Sequence, residues 1–245
     1  MLQRRDVLRR LPVVAASGLL PGGLTAGMAG DGDIAFGHGV ASGDPTADGV
    51  VLWTRLSGSS RPVVVRWTLA ADAELADVVA EGDTEASPEH DWTVQIDVGG
   101  LRPATTWWYA FEAQGQRSPV GRTRTLPEPG SGEELRLGVV SCASFAAGRF
   151  TAYDRLAQRD LDLVVHLGDY VYDDDGGQTA RQHEPPGPPV TLADYRIRHA
   201  QYRTDPDLQG LHQRFPLAAV WDDHEVSGNS WEGGASGHDP DRHGP

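Results

Sequence analysis

Leu161-Asp162-Leu163-Val164-Val165-His166-Leu167 is a short apolar run that continues directly into Gly168-Asp169-Tyr170-Val171-Tyr172. Apolar runs of this length, bounded by turn residues, are typical of buried strands. Two similar runs, 135–141 and 217–221, lie on either side of it in the 245-residue chain, and residues at helical spacing separate the three. This alternation predicts a parallel α/β sheet.

Each of the three runs ends in side chains that can bind a metal. Cys142 follows the first run, Asp169 and Tyr172 follow the second, and Asp223 and His224 follow the third. In open α/β sheets, ligands bind outside the carboxyl ends of the strands, so we expect these groups at one rim. A thiol, carboxylates, a phenol and an imidazole together indicate a metal-dependent hydrolase.

The type of metal depends on Asp169, Cys142 and Tyr172. A carboxylate after a glycine turn can bridge two cations about 3.5–4 Å apart, as in two-metal phosphoryl-transfer sites. Thiolate and phenolate favour a transition metal such as ferric iron, whereas calcium and magnesium take oxygen ligands. The alternatives are an ordinary turn at 168–169, a core cysteine, a packing tyrosine and a polar loop at 223–225.

The region before these runs has a different pattern. Between residues 34 and 126 the chain contains strand-like segments separated by turn residues, among them Val63–Leu69 and Trp107–Phe111. We interpret 34–126 as a fibronectin-type β-sandwich. Pro and Gly residues make 127–134 a linker, and 135–245 is then the α/β domain.

The first 29 residues are typical of an export signal. Arg4 and Arg5 precede a mildly apolar stretch, and Gly27-Met28-Ala29 offers the small residues that a signal peptidase prefers. The stretch is broken by glycine and proline, so it is too short to cross a membrane. The prediction is a twin-arginine signal peptide at 1–29, and the alternative is a disordered basic terminus.

The charge of the chain limits its partners. All 21 basic residues are arginine, and 35 acidic residues give a net charge of −14. Without the first 29 residues, 17 arginines face 34 acidic residues, a net charge of −17. Such a surface repels nucleic acid and anionic lipid, so we expect no stable nucleic-acid or membrane partner.

Several motifs carry a family resemblance. They are Phe36–Pro45, Val51–Arg55, Ser141-Cys142, His166–Tyr172, Thr191–Arg198, Tyr202–Gln209 and Trp221–Val226. In this order they resemble the PhoD-type alkaline phosphatases/phosphodiesterases. The resemblance implies twin-arginine export to the periplasm, the cell wall or the medium, a β-sandwich, and a calcineurin-like metallophosphatase domain. It also implies a phosphate-ester substrate and the twin-arginine export machinery as partners.

The resemblance also implies roles for individual residues. Cys142, Asp169 and Tyr172 would ligate ferric iron, and Asp169 would bridge to calcium. The remaining roles fall on the following residues: Asp223 as a metal ligand, His224 at the phosphate, Asn229 as a metal ligand and Arg181 as a phosphate contact. For Arg181 a surface ion pair is the alternative.

Part of the metal site lies beyond these motifs. The family's second half supplies further ligands, so the resemblance implies that 135–245 is the first half of a metallophosphatase domain and that the chain alone is an inefficient phosphatase. Two other functions stay open. One is an inactive remnant that acts only as a binding module, and the other is an exported nuclease.

Overall fold

The computed structural model describes residues 32–232 and 234–235, so the predicted signal peptide lies outside the described residues. The strands are β1 (Val40–Gly43), β2 (Gly49–Arg55), β3 (Val63–Ala70), β4 (Val78–Ala86), β5 (Thr93–Gly99), β6 (Thr106–Ala113), β7 (Gln116–Arg117), β8 (Gly121–Arg124), β9 (Leu137–Val140), β10 (Leu163–His166) and β11 (Pro216–Ala219). The α-helices are α1 (Thr151–Ala157), α2 (Leu192–Tyr202) and α3 (Pro206–Arg214). In this described part, no helix has the length and apolarity needed to cross a bilayer.

The first half of the chain forms two sheets that share a core. Strands β4, β3, β6 and β7 form one sheet, with β8 also paired to β6, while β5, β2 and β1 belong to the other. Leu52 of β2, Val65 of β3 and Tyr109 of β6 are fully buried in this core. The chain is thus mostly sheet with a sandwich-like first half, and a fibronectin-type arrangement of the strands stays a prediction.

The second sheet joins the two halves of the sequence. It has six strands in the order β5-β2-β1-β11-β10-β9. Strand β1 runs parallel to β11, with Ser42 opposite Pro216 and Gly43 opposite Leu217. A Cβ atom on Gly43 would lie 2.9 Å from the carbonyl oxygen of Leu217, so this close approach requires glycine. The predicted linker at 127–134 therefore separates, in sequence, strands that share a sheet.

The second half has the predicted parallel arrangement. Strands β9 and β11 both run parallel to β10, with α1 between β9 and β10 in sequence and α2 and α3 between β10 and β11. Two of these helices start at capping residues. Thr191 caps α2 in a capping box with Asp194, and Asp205 caps α3 ahead of Pro206.

A buried arginine organises the long segment between β10 and α2. Arg198 of α2 is fully buried, and its guanidinium donates hydrogen bonds to the carbonyl oxygens of Asp173 (3.1 Å), Glu184 (3.2 Å), Pro185 (2.8 Å) and Gly187 (2.7 Å). Since a guanidinium has five fixed donors, one side chain can hold several turns of an irregular segment. Arg198 thus fixes the path of the chain that follows the predicted metal-binding motif.

His183 lies inside the same segment and makes stability depend on pH. Its ring stacks on Phe145 and on Tyr202, with centroids 6.2 and 5.8 Å apart, and its Nε2 lies 3.1 Å from the Tyr202 hydroxyl. Burial, and then the positive charge of Arg198, lowers the pKa of His183 from 6.5 to about 4. Between these values the unfolded chain binds the proton and the folded chain does not, so the free energy of unfolding falls as the pH falls.

We predict that His183→Gln makes the free energy of unfolding less sensitive to pH between neutrality and about pH 5. Urea unfolding at neutral pH and at about pH 5 measures the change in the free energy of unfolding. His90→Gln, a change at an exposed histidine, is the control. An unchanged pH dependence in His183→Gln would contradict the prediction.

Candidate metal centre

The ends of β9 and β10 are joined by hydrogen bonds between the loops that follow them. The Cys142 amide donates to the carbonyl oxygen of Gly168 (3.2 Å), and the Ala143 amide donates to that of Asp169 (2.9 Å). Cys142 and Asp169 both have a left-handed backbone, with φ of 59° and 54°. Such conformations are uncommon outside glycine and often occur at functional sites, where they aim a side chain. Here they accompany the approach of the thiol to the carboxylate.

Gly168 allows the chain to turn between β10 and Asp169. Its φ is 104°, and a Cβ atom there would lie 2.5 Å from the Cβ of Asp222. Only glycine fits this turn, because it is strained for other residues and has no room for a side chain. Gly168 therefore lets the loops after β10 and β11 approach each other.

Asp169 is the centre of the cluster. It is 8% exposed, and its Oδ2 atom accepts hydrogen bonds from the Tyr172 hydroxyl (3.1 Å) and the Cys142 thiol (3.5 Å). Its Oδ1 atom is buried and has no hydrogen-bond partner among the described residues. A buried carboxylate oxygen without a partner is costly, and a bound cation removes that cost. The residues at this rim thus fit a metal ion.

The surroundings of Tyr172 are also suited to a cation. Burial, and then the charge of the Asp169 carboxylate, raises the pKa of Tyr172, so its phenol keeps its proton. A metal ion would reverse this effect, because its charge favours the phenolate. Asp169, Cys142 and Tyr172, which the sequence placed together, do lie together.

The loop after β11 brings two more carboxylates. One oxygen each of Asp169, Asp222 and Asp223 lie within 4.8 Å of one another. Asp223 accepts a hydrogen bond from the Asn229 backbone amide, which lowers the pKa of Asp223. Asn229 is exposed and has a left-handed backbone conformation, with φ of 54°. Its backbone N–H, and not its side chain, makes the contact with Asp223.

His224 is held by a buried carboxylate that the sequence did not single out. Its Nδ1 lies 2.6 Å from Oδ1 of Asp173, and the other Asp173 oxygen accepts from the Gly228 amide at 2.9 Å. Burial acts to lower the pKa of His224, but the hydrogen bond and charge of Asp173 outweigh it, so this pKa is raised. The His224 ring lies against the Tyr172 ring, with centroids 4.3 Å apart. The Asp173 carboxylate and the Tyr172 ring thus together orient the imidazole of His224.

Arg181 is engaged in structural contacts. Its Nη1 pairs with Oδ2 of Asp205 at 2.6 Å, its Nε donates to the carbonyl oxygen of Phe145 at 2.9 Å, and its Nη2 donates to that of Gly148. The guanidinium also lies over the Phe145 ring, 3.6 Å from the centroid. The sequence left a surface ion pair as the alternative to a phosphate contact; an ion pair is present, but its carboxylate is buried.

A different arginine lines the cavity beside the candidate centre. Cys142, Tyr172 and His224 line a cavity of about 480 Å³ whose other walls include Arg149 and Gln178. The Arg149 side chain is 63% exposed and pairs with Asp207 at 2.7 Å. Sequence reasoning missed Arg149 because Gly148-Arg149-Phe150 belongs to no recognisable motif.

Glu225 is the third residue that the sequence did not single out, although it ends the run Asp222-Asp223-His224-Glu225. Its carboxylate accepts hydrogen bonds from four backbone amides: Asp169 (3.0 Å), Tyr170, Val171 (3.2 Å) and Asp222 (2.6 Å). Three of these donors follow β10 and one follows β11. A carboxylate that accepts several amide hydrogen bonds forms a strong, charge-assisted link, so Glu225 joins the two loops that carry the acidic cluster.

We predict that Glu225→Gln lowers the free energy of unfolding by about 1–3 kcal/mol, because an amide cannot accept from all four donors. It should also weaken metal binding about tenfold or more, since the loops lose their alignment. Urea unfolding and metal titration measure the two effects. Glu112→Gln, an exposed change in β6, is the control, and equal behaviour of the two variants would contradict the role of Glu225.

Comparison with known proteins identifies relatives of both halves of the chain. The family model described as "PhoD-like phosphatase" matches residues 137–245, and the model of that family's N-terminal domain matches residues 24–127. Alkaline phosphatase D of Bacillus subtilis (strain 168) is 41% identical over 209 residues, which cover 79% of this chain and 36% of that protein.

A solved structure titled "Structure of PhoD" superposes with a TM-score of 0.75 at 40% identity, covering 79% of this chain and 40% of that chain. The chain thus spans little more than a third of the length of the curated relative that it matches. The two family models together account for most of the sequence. The chain belongs to the PhoD-like phosphatase family.

Proposed function

We propose that the rim around Asp169 is the metal-binding part of a metal-dependent phosphoesterase that hydrolyses phosphate monoesters or diesters. The observation that carries the proposal is the buried, unpartnered Oδ1 atom of Asp169, whose other oxygen is contacted by a thiol and a phenol. Relatedness to an alkaline phosphatase supports the reaction class.

The donor set supports ferric iron and calcium as the two ions. Thiolate, phenolate and carboxylate from Cys142, Tyr172 and Asp169 suit ferric iron, whereas calcium takes oxygen ligands such as the carboxylates of Asp169 and Asp223. Asn229 is proposed to add an amide oxygen near Asp223. When bound, the two ions supply charge stabilisation to the attacking and leaving oxygens of the displacement at phosphorus.

The chain's own side chains orient the substrate. With Nδ1 of His224 engaged by Asp173, Nε2 is the ring nitrogen that remains to contact a phosphate oxygen. Arg149 lies in the wall of the same cavity, where a guanidinium can pair with phosphate oxygens. We propose Arg149 as the phosphate contact, since Arg181 pairs with Asp205 and is not among the residues that line this cavity. The alcohol part of the ester then lies in the cavity.

Substrate hydrolysis by the protein purified from its native host tests this function. An aryl phosphate, a bis-aryl phosphodiester and DNA are compared, first with a chelator and then with iron and calcium restored. We expect the aryl esters to be hydrolysed only with metal. Preference for DNA would favour the nuclease alternative. No ester hydrolysis in the metal-loaded protein, even at the low rate expected from half of a metal site, would contradict the proposal.

Asp169→Asn should remove most of the bound metal. The change keeps the shape of the side chain but takes away the charge that would be shared by two cations, and no neighbouring ligand replaces it. We expect a loss of metal affinity of about a hundredfold or more. Metal analysis after dialysis measures it, with Asp97→Asn, an exposed change in β5, as the matched control. Full metal content in Asp169→Asn would refute the assignment.

Tyr172 and Cys142 should give the iron-loaded protein a visible colour, because phenolate or thiolate bound to ferric iron absorbs by charge transfer. Tyr172→Phe should shift or abolish this band. Tyr195→Phe, which removes a hydroxyl that bonds to the Val226 carbonyl instead, should keep it. A colourless protein that binds only calcium, magnesium or zinc would rule out iron.

We also propose that twin-arginine export carries the protein to the periplasm, the cell wall or the medium. This route translocates folded proteins, so the metals can be loaded beforehand. Arg4→Lys combined with Arg5→Lys should leave precursor in the cytoplasm, as measured by cell fractionation. Undiminished export of that double variant would show that the two arginines are not the signal.

A further inference from the structure

A second cavity lies between the first-half strands and the helices. It measures about 350 Å³, and its lining differs entirely from that of the cavity beside Cys142 and His224. The walls come from β1, β2 and the start of β5 on one side and from α2 and α3 on the other. The lining residues that carry the argument are Trp53, Arg55, Tyr170, Ala200, Arg203 and His212.

Arg203 is a buried cation in this wall. It is 6% exposed, its Nη2 atom donates to the carbonyl oxygens of His38 (3.1 Å) and Val40 (3.3 Å), and its guanidinium lies over the Trp53 ring at 4.7 Å. Its Nε and Nη1 atoms are buried and have no hydrogen-bond partner among the described residues. Two charged donors thus make no hydrogen bond of ordinary geometry with a described residue, although the Tyr170 hydroxyl is close enough to interact with the guanidinium.

No carboxylate within the described ranges neutralises Arg203. The other arginine in the wall, Arg55, is paired with Asp91 through two hydrogen bonds of 2.9 and 3.0 Å. The two arginines and one aspartate therefore leave a net positive charge in the cavity wall. Burying a charge without a counter-ion is expensive, and an anion in the cavity would offset that cost.

His212 leaves a third polar atom of the wall without a hydrogen bond to the described residues. It is 6% exposed, its Nε2 lies 2.8 Å from the Tyr170 hydroxyl, and its Nδ1 has no partner in the described part of the chain. Burial, and then the charge of Arg203, lowers the pKa of His212, so the ring stays neutral. A neutral imidazole can contribute one hydrogen bond to a ligand without adding charge.

The rest of the wall is mostly apolar, with Thr93 and His199 as its polar residues. The ring of Trp53 and the methyl group of Ala200 face the cavity, whose size suits a small ligand. We propose that this cavity binds a small organic carboxylate, with its anionic group paired to Arg203 and its apolar body against Trp53 and Ala200. This site is independent of the metal centre and of the proposed reaction.

Binding of benzoate to the metal-free chain tests the proposal, since chelation removes any contribution from the metal centre. Two-dimensional NMR follows the Trp53 indole and the Ala200 amide during titration. Benzyl alcohol, of similar size but neutral, is the comparison ligand. We expect benzoate to shift both signals and to bind about tenfold or more tightly than benzyl alcohol, because only the carboxylate pairs with Arg203.

Two variants test the residues. Arg203→Gln should weaken benzoate binding about tenfold or more, whereas Arg196→Gln, the same charge change on α2 outside the cavity lining, should not. Ala200→Phe should fill the cavity and leave the hydrogen bonds from Arg203 to the carbonyl oxygens of His38 and Val40 in place. This variant therefore decides the outcome if Arg203→Gln fails to fold. Any of three results would overturn the proposal. Benzoate and benzyl alcohol could bind equally well, benzoate could leave the signals of Trp53 and Ala200 unshifted, or Ala200→Phe could leave benzoate binding unchanged.

Discussion

The carboxylate of Glu225 is the constraint on which the candidate centre depends. It accepts hydrogen bonds from backbone amides on both sides of the acidic cluster, one group after β10 and one after β11. Without that link, the carboxylates of Asp169 and Asp223 would belong to separate loops, each free to move toward water. With it, like charges stay close together, which is favourable only when a cation joins them.

The sheet gives those loops a rigid base. Because β1 pairs with β11 in parallel, the sandwich-like half extends the same sheet that carries the cluster. Arg203 adds a second connection by donating to the carbonyl oxygens beside β1 from the end of α2. Displacement of the first-half strands would therefore disturb β11 and the loop that carries Asp223 and His224. In this protein the first half is part of the framework of the site.

Strand ends and caps could be predicted from the sequence because local patterns determine them. The apolar run before Gly168 predicted β10, and Asp205 followed by Pro206 is a local capping pattern that marks the start of α3. The rule that parallel strands end at one rim placed Cys142, Asp169 and Tyr172 together. Long-range pairing was not predictable in this way. Strand β1 has four residues, too few for a periodic signal, and its partner β11 lies far along the chain.

The contacts of single side chains in irregular segments were also beyond the sequence. Arg181 and Arg149 are both arginines close to motif residues, and only the path of the chain decides that one pairs with Asp205 while the other lines the cavity. Asp173 lay in an acidic run, Asp173-Asp174-Asp175, in which composition cannot tell the buried partner of His224 from its exposed neighbours. From the sequence alone, Glu225 could likewise be a metal ligand or a surface residue. Its structural role depends on the four backbone amides that donate to its carboxylate.

The central claim is that Asp169 holds a metal ion together with Cys142 and Tyr172. A crystal structure of the iron- and calcium-loaded protein, with anomalous diffraction data collected on both sides of the iron absorption edge, tests it most directly. We expect an iron peak in contact with Cys142 Sγ, the Tyr172 hydroxyl oxygen and an Asp169 oxygen. An iron peak elsewhere, or an Asp169 carboxylate still without a cation, would contradict it.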